Sequence, residues 1–290
     1  MRDELARLRP ASAAPPGASP ETCADQAELM GLALSGGDSR SATFALGVTR
    51  ALAKLGLLRG FDYLSTVSGG GYIGAWLSAL IRRSRKPGQS ALDVLADFER
   101  GLPQRIGRRP LRKPRPLRTG AAPLPHRGRG RRGLRPRLPV RGSRQRHPQV
   151  LDRLRDPHRH DLAPLRPQGD GKHNPSHFAV DCICYPNASE PGVLIYIKAS
   201  LTGDAWSDVK QYADRHPSFP HQSTADQFFD ENQFESYREL GRHIGLKVFA
   251  PLFTPQTPKA AEEMTPEQIR AALPLRLCEH PILKSDPNCG

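Results

Sequence analysis

The sequence predicts an α/β protein built on a parallel sheet and interrupted by a disordered Arg/Pro-rich segment. Three observations predict it. Two short apolar runs each end in a glycine-rich loop, and each loop leads into a stretch whose apolar residues recur at helical spacing. Strands alternating with helices at this interval are the pattern of a parallel sheet with crossover helices. Residues 101–168 then break the pattern, holding 12 Pro and no Phe, Trp or Tyr, so no core can form from them.

In chain order, residues 1–28 are rich in Ala and Pro, lack a sustained apolar period and read as a mobile leader. Residues 29–34 form a buried strand that enters the tight loop Ser35-Gly-Gly-Asp-Ser-Arg40. Residues 42–58 form a helix, with Phe44, Val48, Ala51, Leu52 and Leu55 on one face and Gly56 as its stop. A second strand covers 61–67, turns at 68–71 and gives way to a helix over 72–81, with Ile73, Trp76, Leu77 and Leu80 on one face. Both glycine loops then fall at the C-terminal edge of the sheet, where open α/β proteins build their sites.

Beyond the break, residues 178–185 and 193–198 read as two strands joined by a turn-rich stretch, able to pair as a hairpin. Asn232 and Glu235 have capping-box spacing, and Phe234, Tyr237, Leu240, Ile244 and Val248 supply a core stripe. Thr265 caps a last helix, with Pro266 at its first position, running to Leu273. The chain thus divides into a leader (1–28), an N-terminal part of the domain (29–100), a basic insert (101–170), a C-terminal part (171–255) and a tail (256–290).

The basic character of the chain is local. Residues 101–168 contain 19 Arg and one Lys against three Asp and no Glu, a balance of +17, while the chain as a whole carries +14. The other 222 residues therefore sum to −3, which removes the inference from overall charge to a basic folded surface. Three readings of the segment stay open: a disordered linker, an arm for nucleic acid or anionic membrane, or a stretch translated out of frame from GC-rich DNA.

Five cysteines (Cys23, Cys182, Cys184, Cys278 and Cys289) are odd in number and lack paired C-x-x-C spacing, so reduced thiols are expected and a structural zinc site is not. No apolar signal-peptide core appears near the N-terminus, and the longest mostly apolar run, residues 69–81, falls short of the ~20 residues of a membrane span. A cytoplasmic address, with peripheral membrane contact at most, is the expectation.

The chemistry is carried by Thr66-Val-Ser-Gly-Gly70. A serine at a sharp turn between strand and helix, flanked by small residues, has its hydroxyl lifted clear of the backbone at the positive end of a helix dipole. Thr66 stands where the commoner G-x-S-x-G pattern has its first glycine. The alternative is a glycine-rich turn in which Ser68 only caps its helix. The earlier Ser35-Gly-Gly-Asp38 loop offers backbone N–H groups that can hold an oxyanion. It lacks both the Lys-Ser/Thr ending of a P-loop and a full dinucleotide fingerprint.

Residues 32–47 (LALSGGDSRSATFALG) followed by 61–74 (FDYLSTVSGGGYIG) resemble the opening of a patatin-like phospholipase domain. Residues 219–238 (FPHQSTADQFFDENQFESYR) resemble a later block of large bacterial members. The resemblance covers 29–100 and roughly 176–250. It implies a Ser-Asp dyad acting on acyl esters of phospholipids or other lipids, with no metal and no cofactor. Its nucleophile falls on Ser68, its elbow on Thr66, Gly69 and Gly70, and its oxyanion loop on Gly36, Gly37 and the Asp38 amide, with Arg40 closing that loop. The family commonly has another glycine where Asp38 stands. Its aspartate comes from an Asp-Gly or Asp-Ala motif, and Asp170-Gly171 fits that dipeptide at the edge of the basic segment.

Other polar residues take structural readings. His221, near Asp226, sits in a Pro-flanked turn; His173 and His177, four apart without helical support, are not read as a metal pair; Lys198 ends a strand at the surface. The rival to a hydrolase is a non-catalytic protein of the same ancestry whose basic arm meets anionic membrane or nucleic acid through charge. For the hydrolase, nucleic acid is not expected as a partner, and the oligomeric state is not encoded in any motif.

Overall fold

The computed structural model of the chain describes residues 29–105, 165–167, 173–183, 192–223, 229–252 and 264–278. The basic insert and the leader therefore lie outside the described residues for nearly all their length, and the expectations of disorder there remain expectations.

The order of elements in the first half is as expected, but the strand read as buried is fully covered only at Leu34, because the one strand paired with it among the described residues is itself mostly exposed. Strands β1 (Gly31–Leu34) and β2 (Tyr63–Thr66) pair in parallel with Leu34 opposite Thr66, joined through helix α1 (Asp38–Lys54). The pairing brings the loops after β1 and β2 to the same edge of the sheet. Helix α1 begins four residues earlier than its apolar period implies, because a helix needs only backbone geometry, not apolar side chains, for its first turn. Its end is fixed by Gly56 at φ 71°, with Gly56 N–H donating to the Ala53 carbonyl at 3.0 Å and Leu57 N–H to the Leu52 carbonyl at 2.8 Å. That bond pair is a Schellman cap.

Helix α2 (Gly69–Ser84) follows β2 directly. Helix α3 (Ala91–Arg105), which the sequence reading did not separate from the approach to the insert, packs edge-to-face through Phe98 on Trp76, ring centroids 5.7 Å apart. In the second half β3 (Phe178–Ile183) and β4 (Gly192–Ile197) form the expected antiparallel hairpin, Phe178 opposite Ile197. Two short helices, α4 (Ser207–Arg215) and α6 (Pro266–Cys278), flank the long helix α5 (Glu231–Phe249).

Two details of α5 and α6 correct or bear out the capping expectations. The cap of α5 is Asp230, whose carboxylate accepts from Gln233 N–H at 2.7 Å; Asn232 lies inside the first turn. The carboxylate takes the position because it also sits favourably at the positive helix end. For α6, Thr265 and Gln268 form a reciprocal box, Gln268 N–H donating to Thr265 Oγ1 at 3.3 Å and Thr265 N–H to Gln268 Oε1 at 2.9 Å.

The core lies between α1 and α5. Leu52, Leu57, Tyr237, Leu240, Ile244 and Val248 are essentially inaccessible to water, joined by Val209 and Ile269. Phe234, expected in the same stripe, is partly exposed and lies off the seam. Close approach of the two helices depends on glycine. A Cβ on Gly47 would fall 2.1 Å from the Arg238 carbonyl oxygen, and one on Gly241 2.2 Å from that of Phe44. The contacts run Phe44 to Gly241 and Ala51 to Gly245, so the helices point the same way and both begin beside the glycine loops.

Candidate active site

The turn after β2 is as sharp as its glycines imply. Ser68 takes φ 48° and ψ −118°, a region that side chains avoid and that is held only when its surroundings fix it. The fixing contacts are backbone: Gly70 N–H donates to the Ser35 and Val67 carbonyls, and Val67 N–H to the Leu34 carbonyl at 3.1 Å. Ser68 occupies the N-cap position of α2, yet its hydroxyl makes no capping hydrogen bond. The reading in which this serine only caps the helix therefore fails.

The flanking residues are small for steric reasons. A Cβ on Gly69 would lie 2.2 Å from the Asp38 carbonyl oxygen, one on Gly70 2.3 Å from that of Leu34, and one on Gly74 2.6 Å from Thr66 Cγ2. The elbow thus presses on the end of β1 and the loop beyond it. Gly36 sits on the other side of the serine, where an added Cβ would be 3.1 Å from Ser68 Cβ and 3.7 Å from Ser68 Oγ.

The loop itself is braced by Ser41, whose hydroxyl donates to the Ser35 carbonyl at 2.9 Å and whose N–H donates to the Gly37 carbonyl at 3.3 Å. Gly37 has φ 142° and Asp38 φ 57°. Asp38 keeps a positive φ at the place where the resemblance expects glycine, a conformation that Asp tolerates better than most residues. As the first residue of α1, its amide has no acceptor within the helix. The N-termini of α1 and α2 converge on Ser68, and both dipoles favour negative charge there.

Arg40 reaches the second half of the chain, its guanidinium donating to the Gln222 carbonyl. Gln233 Nε2 donates to Gln222 Oε1 at 3.1 Å, and Gln222 Nε2 to Tyr212 Oη at 3.3 Å. A small pocket opens between these parts, lined by Gly37, Asp38, Arg40, Gln222, Phe229 and Gln233. Gln222, Phe229 and Gln233, from the block over 219–238, therefore build one wall beside the Gly37-Asp38 loop. Burial holds the His221 imidazole below its ordinary pKa, with Lys198 and Arg40 adding to the effect, so it is neutral near pH 7. Lys198 is half-buried, not on the surface, and donates to the Leu165 carbonyl at 3.1 Å.

Asp170 lies outside the described residues, and among those described no side chain hydrogen-bonds Ser68 Oγ. Asp204-Ala205 also spells an Asp-Ala pair, but its carboxylate contacts His243 and Lys247 on α5. Gln233, beside the loop, precedes His243 by ten residues, roughly 15 Å of helix. Asp204 belongs to a separate cluster.

A parallel α/β unit with a strained, uncapped serine between strand and helix, set against a second glycine loop, has the form of the nucleophile-elbow proteins. The chain belongs to the patatin-like phospholipase family, whose family model matches residues 32–234. That match takes in both glycine loops and most of the later block. Neither the curated proteins nor the solved structures contain a match to the chain.

Proposed function

We propose that the chain is a lipid acyl hydrolase in which Ser68 Oγ attacks the ester carbonyl. The observation that carries this reading is the Ser68 hydroxyl itself, uncapped at a positive-φ elbow with Gly36 against it. As the Oγ–C bond forms, the hydroxyl proton passes to a base, and the carbonyl oxygen takes up charge near the amides of Gly37, Asp38 and Gly69. Donors of this kind contribute ~3–4 kcal/mol each. The alcohol leaves with the proton, and water then releases the acyl group from Ser68. Family membership argues for an aspartate as the base, and Asp170 is the expected residue. No cofactor takes part.

The surface beside the serine suits an acyl chain. Val67 is 63% exposed and Tyr72 67%, and Trp76 lies one turn beyond Tyr72 on the same helix face. Among the described residues no helix is long and apolar enough to cross a membrane, so contact with lipid is peripheral in this reading.

The test is labelling by a fluorophosphonate, which reacts only with an activated serine, on the wild type, Ser68→Ala and Asp170→Asn. Loss of label in both variants, with the fold intact, supports the dyad. An unlabelled but folded wild type leaves a hydrolase scaffold without a base, since an unassisted serine hydroxyl is a weak nucleophile.

A further inference from the structure

We propose that His177, Asp204 and His243 form a binding site for one first-row divalent metal ion, Zn²⁺ being the best fit, that ties the β3–β4 hairpin to α5. The proposal is independent of the chemistry at Ser68. The three ligand atoms come from separate parts of the chain: His177 immediately before β3, Asp204 in the loop after β4, and His243 in the middle of α5.

The geometry is convergent. His177 Nε2 lies 3.2 Å and His243 Nε2 3.1 Å from the same oxygen, Asp204 Oδ1, and all three ligand atoms lie within 4.8 Å of one another. A tetrahedral ion with bonds of ~2.0–2.1 Å sets its ligand atoms roughly 3.3 Å apart, so small shifts of the side chains admit it. Two nitrogens and one carboxylate oxygen with a fourth position for water make a donor set that Zn²⁺ takes readily.

The surroundings orient these ligands as metal sites require. Ser200 Oγ lies 3.2 Å from His177 Nδ1 and 3.3 Å from the Ser176 carbonyl oxygen. When an ion takes Nε2, the ring proton that Nε2 otherwise shares with Thr202 and Asp204 moves to Nδ1 and is donated to Ser200, which in turn donates to Ser176, the kind of partner that orients a metal-binding histidine. Thr202 Oγ1 donates to Asp204 Oδ1 at 2.5 Å and lies 2.8 Å from His177 Nε2. Both imidazoles are buried, 6% and 4% exposed, and are set edge-to-face with ring centroids 5.7 Å apart. Trp206 closes the far side of His243 at 5.3 Å and is itself covered by Arg242.

Burial pushes the His177 pKa down, Asp204 opposing it, which favours the neutral ring. Burial pushes the Asp204 carboxyl up, but hydrogen bonds from Thr202, Lys247, His243 and His177 outweigh it and hold the group far below the usual carboxylate range. Lys247 Nζ sits 3.0 Å from Asp204 Oδ2, the oxygen turned away from the histidines, and is 55% exposed. It balances the carboxylate without entering the ligand face and is free to swing out when an ion binds.

The full chain, stripped with EDTA and dialysed, is titrated with Zn²⁺ by calorimetry and then loaded with Co²⁺ for its visible spectrum. The expected result is one Zn²⁺ per chain, a raised Tm, and a Co²⁺ spectrum without thiolate charge-transfer bands. Ser200→Ala, which removes the partner of His177 Nδ1 and leaves all three ligands in place, weakens Zn²⁺ by about 10- to 100-fold, and His243→Gln abolishes binding. Lys247→Ala keeps or strengthens it. No saturable binding by the folded wild type would overturn the proposal and leave the cluster a hydrogen-bonded strut. So would binding that carries a thiolate signature or survives His243→Gln, since the ion would then sit on cysteines.

Discussion

The Asp38 carbonyl oxygen lies where the first side-chain carbon of any larger residue at Gly69 would have to go, at 2.2 Å. The elbow of α2 and the loop that begins α1 are therefore one packed unit, and the amides of that loop are positioned by the same contact that positions Ser68. Gly69→Ala must force the loops apart. The expected loss is about 3 kcal/mol or more of stability, with serine labelling lost in whatever remains folded. Gly71, two residues on, has nothing within 4 Å of an added Cβ, so Gly71→Ala in the helix is expected to be neutral or stabilising by about 0.5–1 kcal/mol. Denaturant melts of the two variants side by side check this, and equal effects would refute the packed unit.

The α1–α5 seam makes a similar demand far from the serine. Gly47→Ala and Gly241→Ala each place a methyl against a backbone carbonyl of the facing helix, and each is expected to destabilise by about 1–3 kcal/mol. The two glycines share one contact, Gly241 lying 3.3 Å by its added Cβ from Gly47 Cα. Once the helices have separated for the first methyl, the second finds more room, so the double variant should lose less than the sum. Full additivity in urea melts would argue against a shared seam.

How far the sequence revealed this arrangement depends on the range of the forces involved. β1, α1, β2 and α2 were legible because each depends on local pattern: an apolar run, a glycine turn, a helical period. So were the β3–β4 hairpin and the Thr265 cap. The cap at Asp230 was misplaced by two residues because both Asp230/Gln233 and Asn232/Glu235 have box spacing, and only the packing of Tyr237 and Leu240 chooses between them. The His177, Asp204 and His243 cluster was not legible. Its members are 27 and 39 residues apart, and no short motif records a meeting that depends on how the hairpin lies on α5. Asp204-Ala205 could have been noticed as an Asp-Ala pair, but its place beside α5 could not.

Tyr237 gives a pH dependence at the alkaline end. Its phenol is buried beside the Arg40 guanidinium and the Gln222 backbone without a well-aligned hydrogen bond to either, and burial pushes its pKa up to about 12, those two neighbours pulling the other way. The folded state therefore holds this proton more tightly than the unfolded state, whose tyrosine titrates near 10. Stability from this group is fully present below pH 10 and falls as pH rises toward 12, by about 2 to 3 kcal/mol in all. Tyr237→Phe should lose that alkaline component. At pH 7 it should be neutral or slightly stabilising, because no well-aligned hydrogen bond is given up. Urea melts at pH 7 and between pH 9 and 11.5 measure both, and an unchanged alkaline slope in the variant would refute the assignment.

Ser68 is expected to be a residue that the fold tolerates at a cost in stability. Its φ of 48° with ψ −118° lies in a region open to glycine and strained for any residue with a Cβ. Its hydroxyl returns nothing through capping, since it makes no capping hydrogen bond to α2. Ser68→Gly should therefore raise stability by about 1–3 kcal/mol, while Ser68→Ala, which keeps the Cβ and the strain, should change it by less than about 0.5 kcal/mol. Both variants should be silent to the fluorophosphonate. A stabilised glycine variant without labelling is what a strained nucleophile predicts, because the conformation then serves the reaction and not the fold. If Ser68→Gly were instead destabilising, the turn would depend on contacts of the serine side chain, and the elbow would be a structural joint.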